Sequence, residues 1–235
     1  CTTGLVAPVQ ALTELAHQHG AYAVVDGAHA VGMVPVNIAE YGCDFYASST
    51  HKWLLAPKGT GIMYVAPEFL STMRAPILGY NINARAHASR FDVTGTSDHT
   101  HFAGLKTAID YQLDIGWADK IVPYSLSLAQ YLKKVVMAEI EGAYMTLPED
   151  PAMTGFMTSF AIKGINLNPI REIMWNDYKI QIATTGAGGE TIFRISTHFY
   201  DSFEDIDRFV DALKEVIATR EELRIDPSKP RHRRG

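Results

Sequence analysis

Cysteine is nearly absent: Cys1 and Cys43 are the only two in 235 residues. Two thiols cannot build a disulfide framework or a cysteine-rich metal site, and such sparse usage predicts a reducing cytoplasm. Long hydrophobic runs are missing as well. No stretch approaches the roughly 18 consecutive apolar residues of a membrane span, and the first residues show no signal-peptide pattern. An excess of positive charge is also lacking. The net charge is −5, whereas nucleic-acid binding leaves a basic footprint. The one basic cluster, KPRHRR at residues 229–234, lies in a proline-rich end. Residues 227–235 are therefore expected to be a disordered basic tail, with a functional arm as the alternative.

What is present is a globular protein. With 47% hydrophobic and 20% charged residues, the chain can bury a sizeable core. Val9, Leu12, Leu15 and Ala16 recur at three- and four-residue steps, which predicts an amphipathic helix over 8–19 ended by Gly20. The run AYAVV at 21–25 stops at Asp26 and fits a strand buried on both faces. A short helix near 37–41, a strand over 44–47 and the strand GIMYV at 61–65 follow. Strand, helix and strand at this spacing predict α/β architecture with a largely parallel sheet. In such sheets ligands bind beyond the carboxyl ends of the strands. Asp26 and Lys52 both fall at those ends.

Residues 67–95 read as loop with short elements, 102–113 as a helix, and 117–140 as a long helix or a pair broken near Val122 and Pro123. A second α/β unit follows, with strands over 156–162, 179–183 and 191–196 and a helix over 170–177. Ser202 and Asp205 form cap-like punctuation for a last amphipathic helix over 202–220. The expected division is 1–118 as one domain, 119–226 as a smaller α/β domain, and the tail beyond.

One stretch carries unusual chemistry: SSTHKWLLAPKG, residues 48–59. An aldehyde cofactor with a pyridine ring and a phosphate needs an amine, a carboxylate for the ring nitrogen, and donors for the phosphate. Lys52 can supply the amine if burial lowers its pKa. Asp26 can supply the carboxylate. Ser49, Thr50 and His51 offer phosphate donors, and His29 follows Asp26 by three positions. Blander readings stand beside these. Asp26 can be a turn or cap residue, either histidine a satisfied structural one, and Ser48–Thr50 ordinary turn chemistry.

A resemblance weighs between them. AVVDGAHAVG at 23–32, then HKWL at 51–54 and PKG at 57–59, resemble the class V aminotransferase family of pyridoxal-phosphate enzymes, most closely its isopenicillin N epimerase-like branch. TTGL at 2–5, GTSD at 95–98 and FRISTHFY at 193–200 continue the similarity in order. The resemblance implies fold type I: the C-terminal part of a mostly parallel large-domain sheet plus a small α/β domain. It implies pyridoxal 5′-phosphate held as a Schiff base on Lys52, with Asp26 at the pyridine nitrogen and His29 on the O3′ side. Ser49 and His51 would hold phosphate, and Thr96 would reach the phosphate of a partner subunit in a homodimer with shared sites. Arg194 would clamp a substrate carboxylate through its fork, its plainer alternative being a strand-end salt bridge.

The same resemblance implies that an N-terminal portion of the large domain precedes Cys1, so the chain is expected to be a fragment of a longer enzyme. It does not fix the reaction. Epimerisation, β-elimination and transamination of an amino-acid-like substrate all fit, with Lys52 as general base. Residues 164–194 contain no cysteine, which disfavours a desulfurase that carries sulfur on a loop thiol there. A cofactor-free relative serving as a binding subunit is the non-enzymatic alternative.

Overall fold

The computed structural model describes residues 2–77, 79, 87–92 and 95–225. Cys1, the tail beyond residue 225 and parts of the expected 67–95 loop lie outside them. The chain forms two compact units, one of Pro8–Trp117 and one of Ala118 onward together with the residues up to Ala7.

In the first unit, helix α1 (Val9–Gln18) precedes strand β1 (Val24–Asp26). Its buried residue is Thr13, while Leu12 and Leu15 stay exposed. Leu12 and Leu15 of the predicted apolar stripe thus face outward, while Ala16 packs against the cluster of Ala23, Cys43 and Tyr46. The flank toward the sheet is set instead by Thr13 and by His17, whose Nε2 lies 2.9 Å from Oδ2 of Asp44. Helix α2 (Ile38–Tyr41) is capped by Asn37, and β2 (Phe45–Ser48) runs parallel to β1 with Asp26 opposite Ala47. Strand β3 (Ile62–Val65) then pairs antiparallel with β2. The sheet order is β1-β2-β3, so one pairing is parallel and one is not. A double-sided burial was expected of the first strand, but Val24 is 74% exposed. No strand pairs with the outer side of β1 or of β3 among the described residues. Cys43 is buried with Ala23 and Tyr46 as a small packing residue.

Two 3-10 turns, Pro67–Phe69 and Ala88–Phe91, lead to helix α3 (Thr100–Asp114). Asp98 starts it by accepting from the Thr100 backbone N–H (2.8 Å) and hydroxyl (2.6 Å).

A π-helical turn, Trp117–Ile121, carries the chain from the first unit into the second and runs into α4 (Val122–Glu139). Pro123 sits in the first turn of α4, where its missing N–H costs nothing. A four-stranded antiparallel sheet follows, of order β4-β5-β7-β6: β4 (Ala143–Met145), β5 (Met157–Ile162), β6 (Ala183–Ala187) and β7 (Glu190–Ser196). β4 was not foreseen, being only three residues long. The strand predicted at 179–183 begins later, at Ala183. Lys179 takes a left-handed φ of 57° to close helix α5 (Ile170–Tyr178), and Ile180 and Ile182 go to the core before the ladder starts. β6 and β7 join through Gly188 and Gly189, both at positive φ (58° and 83°), as a tight hairpin requires.

The core of this unit buries Leu132, Val136, Phe160, Phe193, Leu213 and Val216 between the sheet and the helices. Helix α6 (Phe203–Thr219) begins with a reciprocal capping box between Ser202 and Asp205, typically worth about 1 kcal/mol. Leu5 bridges to Thr154, and the Val6 N–H donates to the Met153 carbonyl at 3.0 Å, which ties the first residues to this unit.

Candidate cofactor site

The parallel pairing of β1 and β2 places two chain ends side by side. Past Asp26 the ladder continues for one more residue, with the Gly27 N–H donating to the Ala47 carbonyl at 2.8 Å. The Ser48 hydroxyl returns a bond to the Gly27 carbonyl, also 2.8 Å. The strand that carries Asp26 is thereby stitched to the segment that leads into Lys52.

That segment closes on itself. The Lys52 N–H donates to the Ser49 carbonyl (3.3 Å), the Leu55 N–H to Lys52 (3.1 Å) and the Ala56 N–H to Thr50 (3.1 Å). Thr50 and Thr60, each only 1% exposed, hold hands through a 2.8 Å hydroxyl bond, and Thr60 passes its own proton to the Pro57 carbonyl. Leu55 completes the turn at a φ of 61°, a left-handed conformation that costs a non-glycine residue about 1–2 kcal/mol. From outside, the Gln112 side-chain NH₂ reaches the Trp53 carbonyl at 3.4 Å. The Trp117 indole holds the Gly32 carbonyl at 2.8 Å.

On this frame sit the residues expected to meet the cofactor. Asp26 is exposed, and one of its oxygens accepts the Ala28 N–H at 3.0 Å. Its other oxygen has no hydrogen-bond partner among the described residues, and neither has the half-buried Lys52 amine. Such a pair of unengaged groups at neighbouring strand ends fits a ligand that brings both a cationic ring nitrogen and a carbonyl carbon. His51 is oriented by its Nδ1–H, which donates to the Thr60 carbonyl at 2.8 Å. His29 accepts a bond from the Trp53 indole at 3.1 Å. Ser49 lies half-buried in the turn, and Thr96 is exposed ahead of α3. Arg194 lies on β7 of the other unit, opposite Ser159 and Ala183.

Asp26, His29, Ser49, His51 and Lys52 thus belong to one set of strand ends and turns. A cavity of about 310 Å³ in the same unit is a different place. It lies under the Lys52 turn against α3, is lined by Val31, Thr50, Leu54, Ile109 and Trp117, and is mostly apolar. None of the five residues above lines it. Sequence reasoning passed over Trp53, Thr60, Gly32 and Trp117, which hold the turn. The signal available for them was only their position within or beside the quoted motifs.

A family description, Aminotransferase class-V, matches residues 1–209. The chain belongs to that family. Isopenicillin N epimerase of Amycolatopsis lactamdurans is 30% identical over 92% of the chain. A probable cysteine desulfurase of Halobacterium salinarum is 31% identical over 92%. The chain spans only 57% and 55% of the length of these two relatives. Its fold matches the apo cysteine desulfurase of Thermococcus onnurineus with a TM-score of 0.80 at 24% identity, covering 92% of this chain and 57% of that one. The class V family and the PLP-transferase fold expected from the motifs are therefore found. Members of the family are pyridoxal-phosphate enzymes, and the residues at the strand ends fit that cofactor. Relatives of both kinds appear among its matches, so family membership does not choose between epimerase and desulfurase chemistry. No helix among the described residues is long and apolar enough to cross a membrane.

Proposed function

We propose that this chain carries the cofactor-anchoring lysine of a pyridoxal-phosphate enzyme that acts at Cα or Cβ of an amino-acid-like substrate, in the manner of an epimerase or lyase. The observation that supports it best is that Asp26 ends β1 and Lys52 sits in the turn that follows the parallel strand β2, each with an unengaged functional atom.

When bound, the cofactor withdraws electrons from the substrate's Cα through its protonated ring. Asp26 keeps that ring nitrogen protonated, its orientation fixed by the Ala28 N–H. Lys52 would hold the cofactor through its amine and, as a free amine beside Cα, would take or return the proton there. The closed turn from Ser48 to Thr60 holds Lys52 in place for both tasks. Ser49 and His51 bind phosphate oxygens. Arg194, on the other unit, is the residue the resemblance assigns to the substrate carboxylate, which its planar two-point fork suits. Thr96, exposed and without a side-chain bond among the described residues, serves the phosphate of the partner subunit in a homodimer.

Reading the reaction as epimerase- or lyase-like draws on similarity to isopenicillin N epimerase and on the lack of any cysteine over 164–194. The test uses the whole protein with pyridoxal phosphate. It should show a visible absorption band that Lys52→Ala abolishes, and a protein that stays colourless would end the proposal. Incubation with single L-amino acids then separates the chemistries. A racemised amino acid, or pyruvate with ammonia or sulfide, supports the reading. Stoichiometric keto acid would show transamination instead, and alanine with persulfide would show desulfuration.

A further inference from the structure

We propose that Trp53 is a positioning residue that fixes the tautomer of His29, so that His29 presents a neutral N–H donor to the cofactor. The inference rests on the expectation, carried by the class V resemblance, that His29 lies on the O3′ side of that cofactor.

The indole Nε1 of Trp53 lies 3.1 Å from Nδ1 of His29. An indole nitrogen can only donate. The lone pair must therefore sit on Nδ1, and the single proton of the neutral ring sits on Nε2. Little freedom remains for the donor to leave. Trp53 is 8% exposed, its carbonyl accepts from Gln112, and its peptide closes against Gly32.

His51, one residue before Lys52, is held the opposite way. Its Nδ1 lies 2.8 Å from the Thr60 carbonyl, which can only accept, so Nδ1 carries a proton and, in the neutral ring, the lone pair is on Nε2. The two histidines of the candidate site are thus set in opposite tautomers by two different partners. The difference matters chemically. A neutral Nε2–H can hydrogen-bond a phenolate-type oxygen and stabilise its negative charge without adding a positive charge to the site. A neutral His51 presents an acceptor instead, so binding a phosphate oxygen there requires Nε2 to carry a proton as well.

The experiment labels the histidines of the whole, cofactor-free protein with ¹⁵N and records long-range ¹⁵N–¹H spectra, assigned with His29→Ala and His51→Ala. In the wild type, His29 should show a pyrrole-like Nε2 and a pyridine-like Nδ1, with His51 showing the reverse. Trp53→Phe keeps an apolar ring and removes the donor. It should convert His29 to a mixture of tautomers and leave His51 unchanged. A wild-type His29 protonated on Nδ1 overturns the proposal even if the variant does not fold. So does a folded Trp53→Phe protein with an unaltered His29 pattern. A separate arm follows the visible band of the loaded protein in His29→Ala. If that band does not move, the placement of His29 beside the cofactor fails while the tautomer result stands by itself. With the placement correct, Trp53→Phe should weaken cofactor retention by up to about tenfold, the loss of roughly one hydrogen bond.

Discussion

Gly32 lies against the peptide that joins Trp53 to Leu54. A methyl group on its α-carbon would sit 2.4 Å from the Leu54 nitrogen and 2.5 Å from the Trp53 carbonyl carbon. Its φ of +91° is also one that side chains rarely adopt. The loop after β1 and the Lys52 turn therefore touch backbone to backbone, and only glycine permits it.

Gly32→Ala should accordingly disturb the turn rather than a side chain. Left-handed strain and overpacking together predict a loss of about 2–4 kcal/mol. Urea titration of the whole protein should show a lower midpoint, and visible absorbance should show reduced cofactor occupancy. A variant with the wild-type midpoint and full occupancy would contradict the contact.

Tyr46 offers a second check, one strand away. Its hydroxyl is buried with no partner among the described residues. Burial, with smaller contributions from the nearby Tyr41, Cys43 and Asp26, pushes its pKa up to about 12. Tyr46→Phe removes a group that gains nothing by being buried, so stability should stay within about 1 kcal/mol of wild type or rise. Gly27→Ala is different. Its new methyl would lie 2.2 Å from the tyrosine oxygen and 2.3 Å from Cζ, an overpacking worth about 1–3 kcal/mol. Because Cζ remains in phenylalanine, Tyr46→Phe should not rescue Gly27→Ala, whereas Tyr46→Leu should do so in part. A double-mutant cycle in denaturant decides it, and full rescue by phenylalanine would refute the geometry.

Asp44 predicts an acid limb in the stability profile. Burial disfavours its charge. The bond to His17, the Ala23 N–H at 2.6 Å and the attraction of His17 outweigh that burial and hold the carboxyl below its ordinary value. A lowered folded-state pKa stabilises the fold above the unfolded value, near pH 3.9, and that contribution is lost as the pH falls through the folded one. Wild-type melting temperature should therefore decline below about pH 4, and Asp44→Asn should flatten that decline. At neutral pH the same variant should be less stable by about 1.5–3 kcal/mol, the range for bonds to a charged group. Parallel wild-type and variant curves would remove Asp44 from the account.

Much of the candidate site was readable because its residues are local in sequence. His51 and Lys52 are neighbours, Asp26 and His29 share one strand end, and a parallel β1–β2 pairing brings the two segments together. What holds them could not be read so directly. Trp117 reaches Gly32 across 85 positions and Gln112 reaches Trp53 across 59, and no periodicity announces such contacts. The stripe on α1 announced the helix but not its docked flank, for a related reason. Periodicity shows that a helix has an apolar face, but not which neighbour covers it, and here a buried threonine and the His17–Asp44 pair set the docked flank. The strand expected at 179–183 failed because alternation does not say whether isoleucines ladder or pack. Ile180 and Ile182 pack.

Leu55, left-handed in the turn after Lys52, has a consequence for how this loop can change over generations. A glycine or asparagine there would relax about 1 kcal/mol, so selection for thermal endurance alone would favour the exchange. The same exchange would loosen the backbone that keeps the lysine in register. Position 55 is therefore one where a gain in thermal endurance would be set against the rigidity of the Lys52 turn.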